Sequence, residues 1–345
     1  MPADIPHPAA PEAVLWADAD HVATLSDTLD LMGAAVRPLA VAGPPSTELD
    51  RLARRLDLPV LDDLRKLVID HPAACLVLAD SRNLPPGPLA NAAQQGTALL
   101  TLEPPAADLA ALDATLQPQG PGKPPLAADS PFAFGPAFTE SPGFVAAADP
   151  ADALQEPRLL QITSLGRPQH GSLFARLFDA FAAALTLISP PETLHAYATA
   201  PDAAPAPPPD NLRALTGSLS AHARLPGGAT LDLLASNAAA HTHRQLTALA
   251  PDAHLHLTDT RYSLHQPDGT LLEQSPPEAA ESPEAMPYPD LLAYHWRRLL
   301  DRQHLAEHTP NATRHRHALA CCLACLLSAR TGQPESPTRL LDLQS

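Results

Sequence analysis

The stretch Ala74-Cys75-Leu76-Val77-Leu78-Ala79 is apolar at every position. A strand with one wet face alternates polar and apolar residues. An unbroken apolar run of this length belongs to a strand covered on both faces, as in a parallel sheet. The surroundings agree. Ala13–Ala17 (AVLWA), Val36–Ala42 (VRPLAVA) and Ala98–Leu102 (ALLTL) are further short apolar runs. Between them, Thr24–Met32, Ser46–Leu56, Asp62–Ile69 and Gly87–Gln95 have helical spacing. Ser46 is placed to cap its helix, and Glu48 and Asp50 load the first turn with negative charge. This βαβα order over residues 12–116 predicts a Rossmann-like parallel sheet with helices on both faces.

The period changes in the second half. In Leu215–Leu225 (LTGSLSAHARL), Leu215, Leu219, Ala221, Ala223 and Leu225 share one face, and Thr216, Ser218, Ser220, His222 and Arg224 share the other. A Pro226-Gly227-Gly228 turn leads into a second strand, Thr230–Ala235. His254–Thr258 and Arg261–His265 alternate as well. The pattern predicts a large, mainly antiparallel sheet with one buried face and one Ser/Thr/His face. Helical spacing returns at Tyr288–Leu300 and Ala312–Arg330. The expected organisation is an N-terminal tail (1–11), a Rossmann-like domain (12–116), a Pro-rich crossing segment (117–156) and an α+β domain (157–345).

At 345 residues, with 45% hydrophobic content, the chain suits two cores. A formal net charge of -16 argues against nucleic acid or an anionic membrane as partner, because both repel it. No apolar run reaches the roughly 18 residues of a membrane span, and MPADIPHPAAPEA has no signal-peptide pattern. The expectation is a soluble, cytoplasmic protein. Cys321, Cys322 and Cys325 lie in the apolar stretch ALACCLACLLSA without a second ligand pair, so they read as core residues and not as a metal or disulfide site. His241/His243 and His254/His256 read as parts of a wet sheet face. His315/His317 lies on a helix, where positions two apart diverge. Arg51, Arg54 and Arg55 form a solvated helix face.

Several strings resemble the Gfo/Idh/MocA oxidoreductases (glucose–fructose oxidoreductase, inositol dehydrogenase and relatives). Leu100–Pro105 (LTLEPP) is similar to the family's strand-end Glu-Lys-Pro, Arg224–Thr230 (RLPGGAT) to the hairpin after its long sheet strand, and Ser328–Gly332 (SARTG) to its C-terminal helix ending. Their order fits residues 12–342. The resemblance implies a glycine-rich turn after the first strand, where a dinucleotide pyrophosphate meets a helix N-terminus. Here that turn is Trp16-Ala17-Asp18-Ala19-Asp20-His21-Val22, with Ala17, Ala19 and Val22 at the glycine positions. Asp18 and Asp20 would repel the phosphates by about 1 kcal/mol or more per pair. The second strand ends at Gly43 without the acid that would hold the ribose. Pro104 stands at the catalytic lysine, and Arg176 and Ala180 stand at the family's Asp-x-x-x-His.

The resemblance therefore implies the fold and puts the chemistry in question. The expected function is a non-catalytic or diverged member, with no cofactor expected, acting as an oligomer subunit or protein partner through the face of Thr216, Ser218, Ser220, His222 and Arg224. If an active NAD(P)-dependent enzyme on a sugar or cyclic polyol is present instead, Glu103 and His170 are the substitute catalytic groups. The crevice positions for NAD(P) would then be Ala17, Ala19, Asp20, Val22, Gly43, Asp80 and Glu103. A third expectation is a small-ligand sensor using the crevice between the halves. Asp18, Asp20 and Asp80 read as loop residues in preference to a cation site, so no metal is expected.

Overall fold

The computed structural model describes residues 10–80, 84–116, 132–200, 209–275, 286–305 and 312–343. Six parallel strands build the first sheet: β1 (Glu12–Ala17), β2 (Arg37–Ala42), β3 (Val60–Leu61), β4 (Cys75–Ala79), β5 (Ala98–Thr101) and β6 (Phe132–Phe134), in the order β3-β2-β1-β4-β5-β6. All five residues of β4 are buried, as its uniform apolarity requires. Alternate side chains serve two cores. Leu15, Val41, Val77 and Leu100 face a cluster that includes Leu25 and Leu49 from the helices Val22–Met32 and Thr47–Leu56. Val14, Ala40, Leu76 and Leu99 face Leu67 and Leu89 on the opposite side. Ser46 caps as expected, accepting from the Leu49 amide at 3.1 Å.

Two features depart from the linear reading. β6 lies inside the segment expected to be irregular, and it extends the parallel sheet by one strand. The helix Tyr288–Leu305 packs back on the first sheet, with Leu292, Trp296 and Leu299 in the core that holds Leu15 and Val77. Residues 117–131 of the crossing segment, and 1–9 of the tail, lie outside the described residues.

The second sheet has eight strands in the order β14-β13-β12-β11-β7-β10-β9-β8. They are β7 (Leu159–Leu165), β8 (Thr193–Thr199), β9 (Ser218–Arg224), β10 (Thr230–Ser236), β11 (His243–Leu249), β12 (His254–Thr258), β13 (Tyr262–His265) and β14 (Leu271–Gln274). Among the described strands of this sheet, only β7 and β10 pair in parallel. Leu219, Ala221 and Ala223 of β9 are buried while Ser220, His222 and Arg224 are exposed, the alternation the sequence displays. The inner face packs on the helices Leu173–Ala184 and Ala312–Thr331. Cys321, Cys322 and Cys325 are fully buried in this core, and burial raises all three thiols above their ordinary range. They pack as small apolar groups, not as reactive thiols.

One buried ion network stitches this half together. Arg244 on β11 donates to Asp259 at 2.8 Å and to Asp179 at 2.9 Å, and the other oxygen of Asp179 accepts from the Phe138 amide at 2.7 Å. Loop, helix and strand thus meet at one guanidinium, whose charge is held by carboxylates on both sides.

Candidate functional site

In open parallel sheets, ligands bind outside the carboxyl ends of the strands. Here those ends carry Asp18 after β1, Gly43 after β2, Asp80 after β4 and Glu103 just beyond β5. The backbone closes tightly at this edge. The Asp18 amide donates to Ala79 O at 2.9 Å. A Cβ on Gly43, where φ is +155°, would stand 1.9 Å from Ala17 O. Gly43 is therefore required by the close approach of two strand ends.

The turn after β1 is organised around His21. Its side chain is 3% exposed and stands at the start of the helix Val22–Met32. Nδ1 lies 2.7 Å from Asp18 Oδ1, and Nε2 lies 3.7 Å from Glu103 Oε1. Burial opposes the imidazolium, but the Asp18 contact and the nearby Glu103 carboxylate outweigh it and raise the pKa to about 10. At neutral pH the cluster is an imidazolium between two carboxylates, with a net charge of one negative. Glu103, also 3% exposed, reaches across to the second half of the molecule. Oε1 accepts from the Ser172 amide at 2.7 Å and Oε2 from the Ser172 hydroxyl at 2.6 Å. Ser172 in turn caps the helix Leu173–Ala184 through the Ala175 amide at 3.0 Å. The Thr24 hydroxyl adds a further tie, donating to Gln169 O at 2.9 Å.

The positions expected to line a cofactor crevice separate. Ala17, Val22, Gly43, Asp80 and Glu103 are buried, whereas Ala19 and Asp20 are exposed. Asp80 accepts from Trp16 Nε1 at 2.9 Å and Asp18 is turned to His21. The three aspartates therefore do not converge, and among the described residues no group of three or more His, Cys, Asp or Glu side chains is arranged around a metal position. Pro104, at the family's lysine position, offers its carbonyl to Arg213 Nη2 at 2.8 Å. A cation does reach this place, but a guanidinium holds its proton throughout the range in which a lysine could exchange one.

His170 is stacked on Tyr288, with ring centroids 4.9 Å apart and planes 3° apart, and its Nδ1 lies 3.1 Å from the Thr242 hydroxyl. Burial, with Arg176 and Arg167 nearby, lowers its pKa to about 4. Burial pushes the Tyr288 phenol above its ordinary value. Arg176, expected at the position of the family's aspartate, is buried and donates to the carbonyls of Leu165 and His170 at 3.1 and 3.0 Å. Ala180 is buried in the same helix. The cavity lined by His170, Arg176, Thr242 and Tyr288 measures about 20 Å³, room for one water. Glu103 and His170 are thus near neighbours, since a Cβ on Gly171 would lie 3.9 Å from Glu103 Oε1. His21, Ser172, Arg213 and Tyr288 are the partners that sequence reasoning missed. The Asp18/His21 spacing at a helix start was the one signal available for them.

No protein-family model and no curated protein matches the sequence. Solved structures do match its fold. An oxidoreductase from Agrobacterium radiobacter, crystallised with NAD+, L-tartaric acid and magnesium, superposes with a TM-score of 0.69 at 13% identity, covering 96% of this chain and 99% of that one. A levoglucosan dehydrogenase in complex with NADH and L-sorbose gives 0.66 at 13% identity, over 94% and 98% of the two chains. An apo scyllo-inositol dehydrogenase from Lactobacillus casei gives 0.68 at 13% identity, over 95% and 98%. The chain has the fold of these oxidoreductases over nearly its whole length, the fold that the sequence resemblance implies.

Proposed function

We propose that this protein is a diverged relative of the Gfo/Idh/MocA oxidoreductases that does not carry out their NAD(P)-dependent reaction, and that it acts as an oligomer subunit or protein partner. The observation that carries this reading is the Asp18–His21–Glu103 cluster. A pyrophosphate-binding turn presents bare amides and positive charge to a dianion. This turn presents a buried imidazolium already engaged by two carboxylates, with a third carboxylate, Asp20, exposed beside it. The proton chemistry agrees. A general acid or base works best with a pKa near the operating pH, whereas His21 and His170 sit at about 10 and about 4. The surface proposed for a second copy or another protein is the outer face of the eight-stranded sheet, where Tyr197 and Leu234 are exposed beside Ser220, His222 and Arg224. The test is titration with NADH and NADPH, with light scattering for the assembly state.

A second reading is supported by the NAD+ and NADH complexes of the fold neighbours. On that reading the chain is an active oxidoreductase on a sugar or cyclic polyol, using Glu103 or His170 in place of the missing lysine. Glu103→Gln would then abolish turnover, and turnover retained by that variant would remove Glu103 from the mechanism.

A further inference from the structure

The outer face of the eight-stranded sheet carries a side-chain constellation that the crevice does not use. His195 of β8 and His222 of β9 are directly opposed across the strand pair, and Asp232 of β10 is directly opposed to His222. Opposed residues on neighbouring antiparallel strands point to the same side, with Cβ atoms about 5 Å apart. The three therefore form a row. His222 Nδ1 lies 2.6 Å from Asp232 Oδ1. A carboxylate only accepts, so Nδ1 is the donor in this contact and Nε2 is the nitrogen left for another partner. A carboxylate behind a histidine is the arrangement that orients an imidazole toward a metal and raises its basicity. On the facing strand, the Nε2 atom of His195 is buried and, among the described residues, has no hydrogen-bond partner. Both rings line one surface cavity of about 310 Å³, with Tyr197, Gln161 and Thr163 on its walls. The His195 side chain, with its unpartnered nitrogen just beneath the surface, and the carboxylate-oriented His222 thus line one cavity.

We infer that His195 and His222 form a two-nitrogen site for a borderline divalent transition metal such as Zn²⁺, with Asp232 as the orienting partner. Neutral imidazole nitrogens suit Zn²⁺, Cu²⁺ and Ni²⁺, and they do not suit Ca²⁺ or Mg²⁺, which prefer oxygen ligands. Water or a group from a bound partner completes the coordination. The site is separate from the crevice and stands whether or not a dinucleotide binds there.

The experiment is a calorimetric titration of the full-length, tag-free protein with Zn²⁺ at pH 7.5. We expect one Zn²⁺ per chain at this site. His195→Ala and His222→Ala should each weaken it at least tenfold, and Asp232→Asn should weaken it by about 10- to 100-fold. His254→Ala, on the same face but at another strand pair, should leave the affinity unchanged. Thermal melts of His222→Ala and Asp232→Asn should match the parent, because both are surface residues at 62% and 49% exposure. The absence of Zn²⁺ binding, or equal affinity in the parent, His195→Ala and His222→Ala proteins, would overturn the inference. Loss of binding in His254→Ala alone would also overturn it.

Discussion

Replacing Glu103 by Gln removes one charge and almost no volume, so it isolates the electrostatics of the strand-end cluster. In the parent, His21 Nε2 is 3.7 Å from Glu103 Oε1, with both side chains 3% exposed. Two unit charges near 4 Å attract by about 4 kcal/mol at an effective dielectric of about 20. Part of this survives the substitution, since Asp18 still holds Nδ1 and a glutamine oxygen still accepts the Ser172 amide. The expected net loss is about 2–3 kcal/mol at pH 7. With a urea dependence of about 2–3 kcal/mol per molar, the unfolding midpoint should fall by about 1 M.

The pH dependence gives a second, independent reading of the same pair. The folded pKa of His21, about 10, is raised above the unfolded value of 6.5. Its contribution is therefore fully present below pH 6.5, where both states are protonated. It is lost as the pH rises from there through 10, because only the folded state holds the proton in that interval. The gap between parent and variant should be widest near pH 6 to 7 and should narrow toward pH 10. The assay is urea unfolding followed by fluorescence at several pH values between 6 and 10.5. A gap below about 0.5 kcal/mol at pH 7, or one that stays flat across this range, would refute the ionic account of the cluster.

Arg244→Met should destabilise the second half by about 3–5 kcal/mol, because Asp179 and Asp259 would be left buried without their cation; a urea midpoint equal to the parent's would contradict this. Gly43→Ala should cost about 2 kcal/mol or more, since the added methyl would stand 1.9 Å from Ala17 O and force the ends of β1 and β2 apart; thermal melting measures it. Stability should also fall as the pH drops from about 6.5 toward 4. Burial lowers the pKa values of His170 and His315 to about 4, so in that interval the unfolded chain binds protons that the folded chain does not. His315→Phe should flatten the slope of unfolding free energy between pH 6.5 and 4, and an unchanged slope would show that His315 does not contribute.

The parallel sheet was legible because β4 is apolar throughout and β1, β2 and β5 are largely so, and β9 because its alternation survives over seven residues. β6 was not legible. Phe132–Phe134 is three residues long and follows a proline-rich stretch, and what makes it a strand is β5 beside it. The helix Tyr288–Leu305 could be read as a helix, but not as a wall of the first domain, since nothing local in Leu292 or Trp296 says which core they enter. At the crevice, Glu103 and His170 were found because each stands in or near a string with a family counterpart. His21 has no such counterpart, and its contact with Glu103 joins parts of the chain that only folding brings together. Ser172, Arg213 and Tyr288 come from distant parts of the chain and meet Glu103, Pro104 and His170 only after folding. Their roles are products of tertiary structure, with no periodicity or spacing to announce them.

The central claim is that the turn from Asp18 to Val22 does not hold a dinucleotide pyrophosphate. Titration of the purified protein with NADH and NADPH, followed by nucleotide fluorescence and by thermal shift, tests it most directly. The account predicts no saturable binding and no stabilisation at millimolar nucleotide. Micromolar binding with a rising melting temperature would contradict it, and would make the His21 imidazolium a phosphate ligand rather than a partner for Asp18 and Glu103.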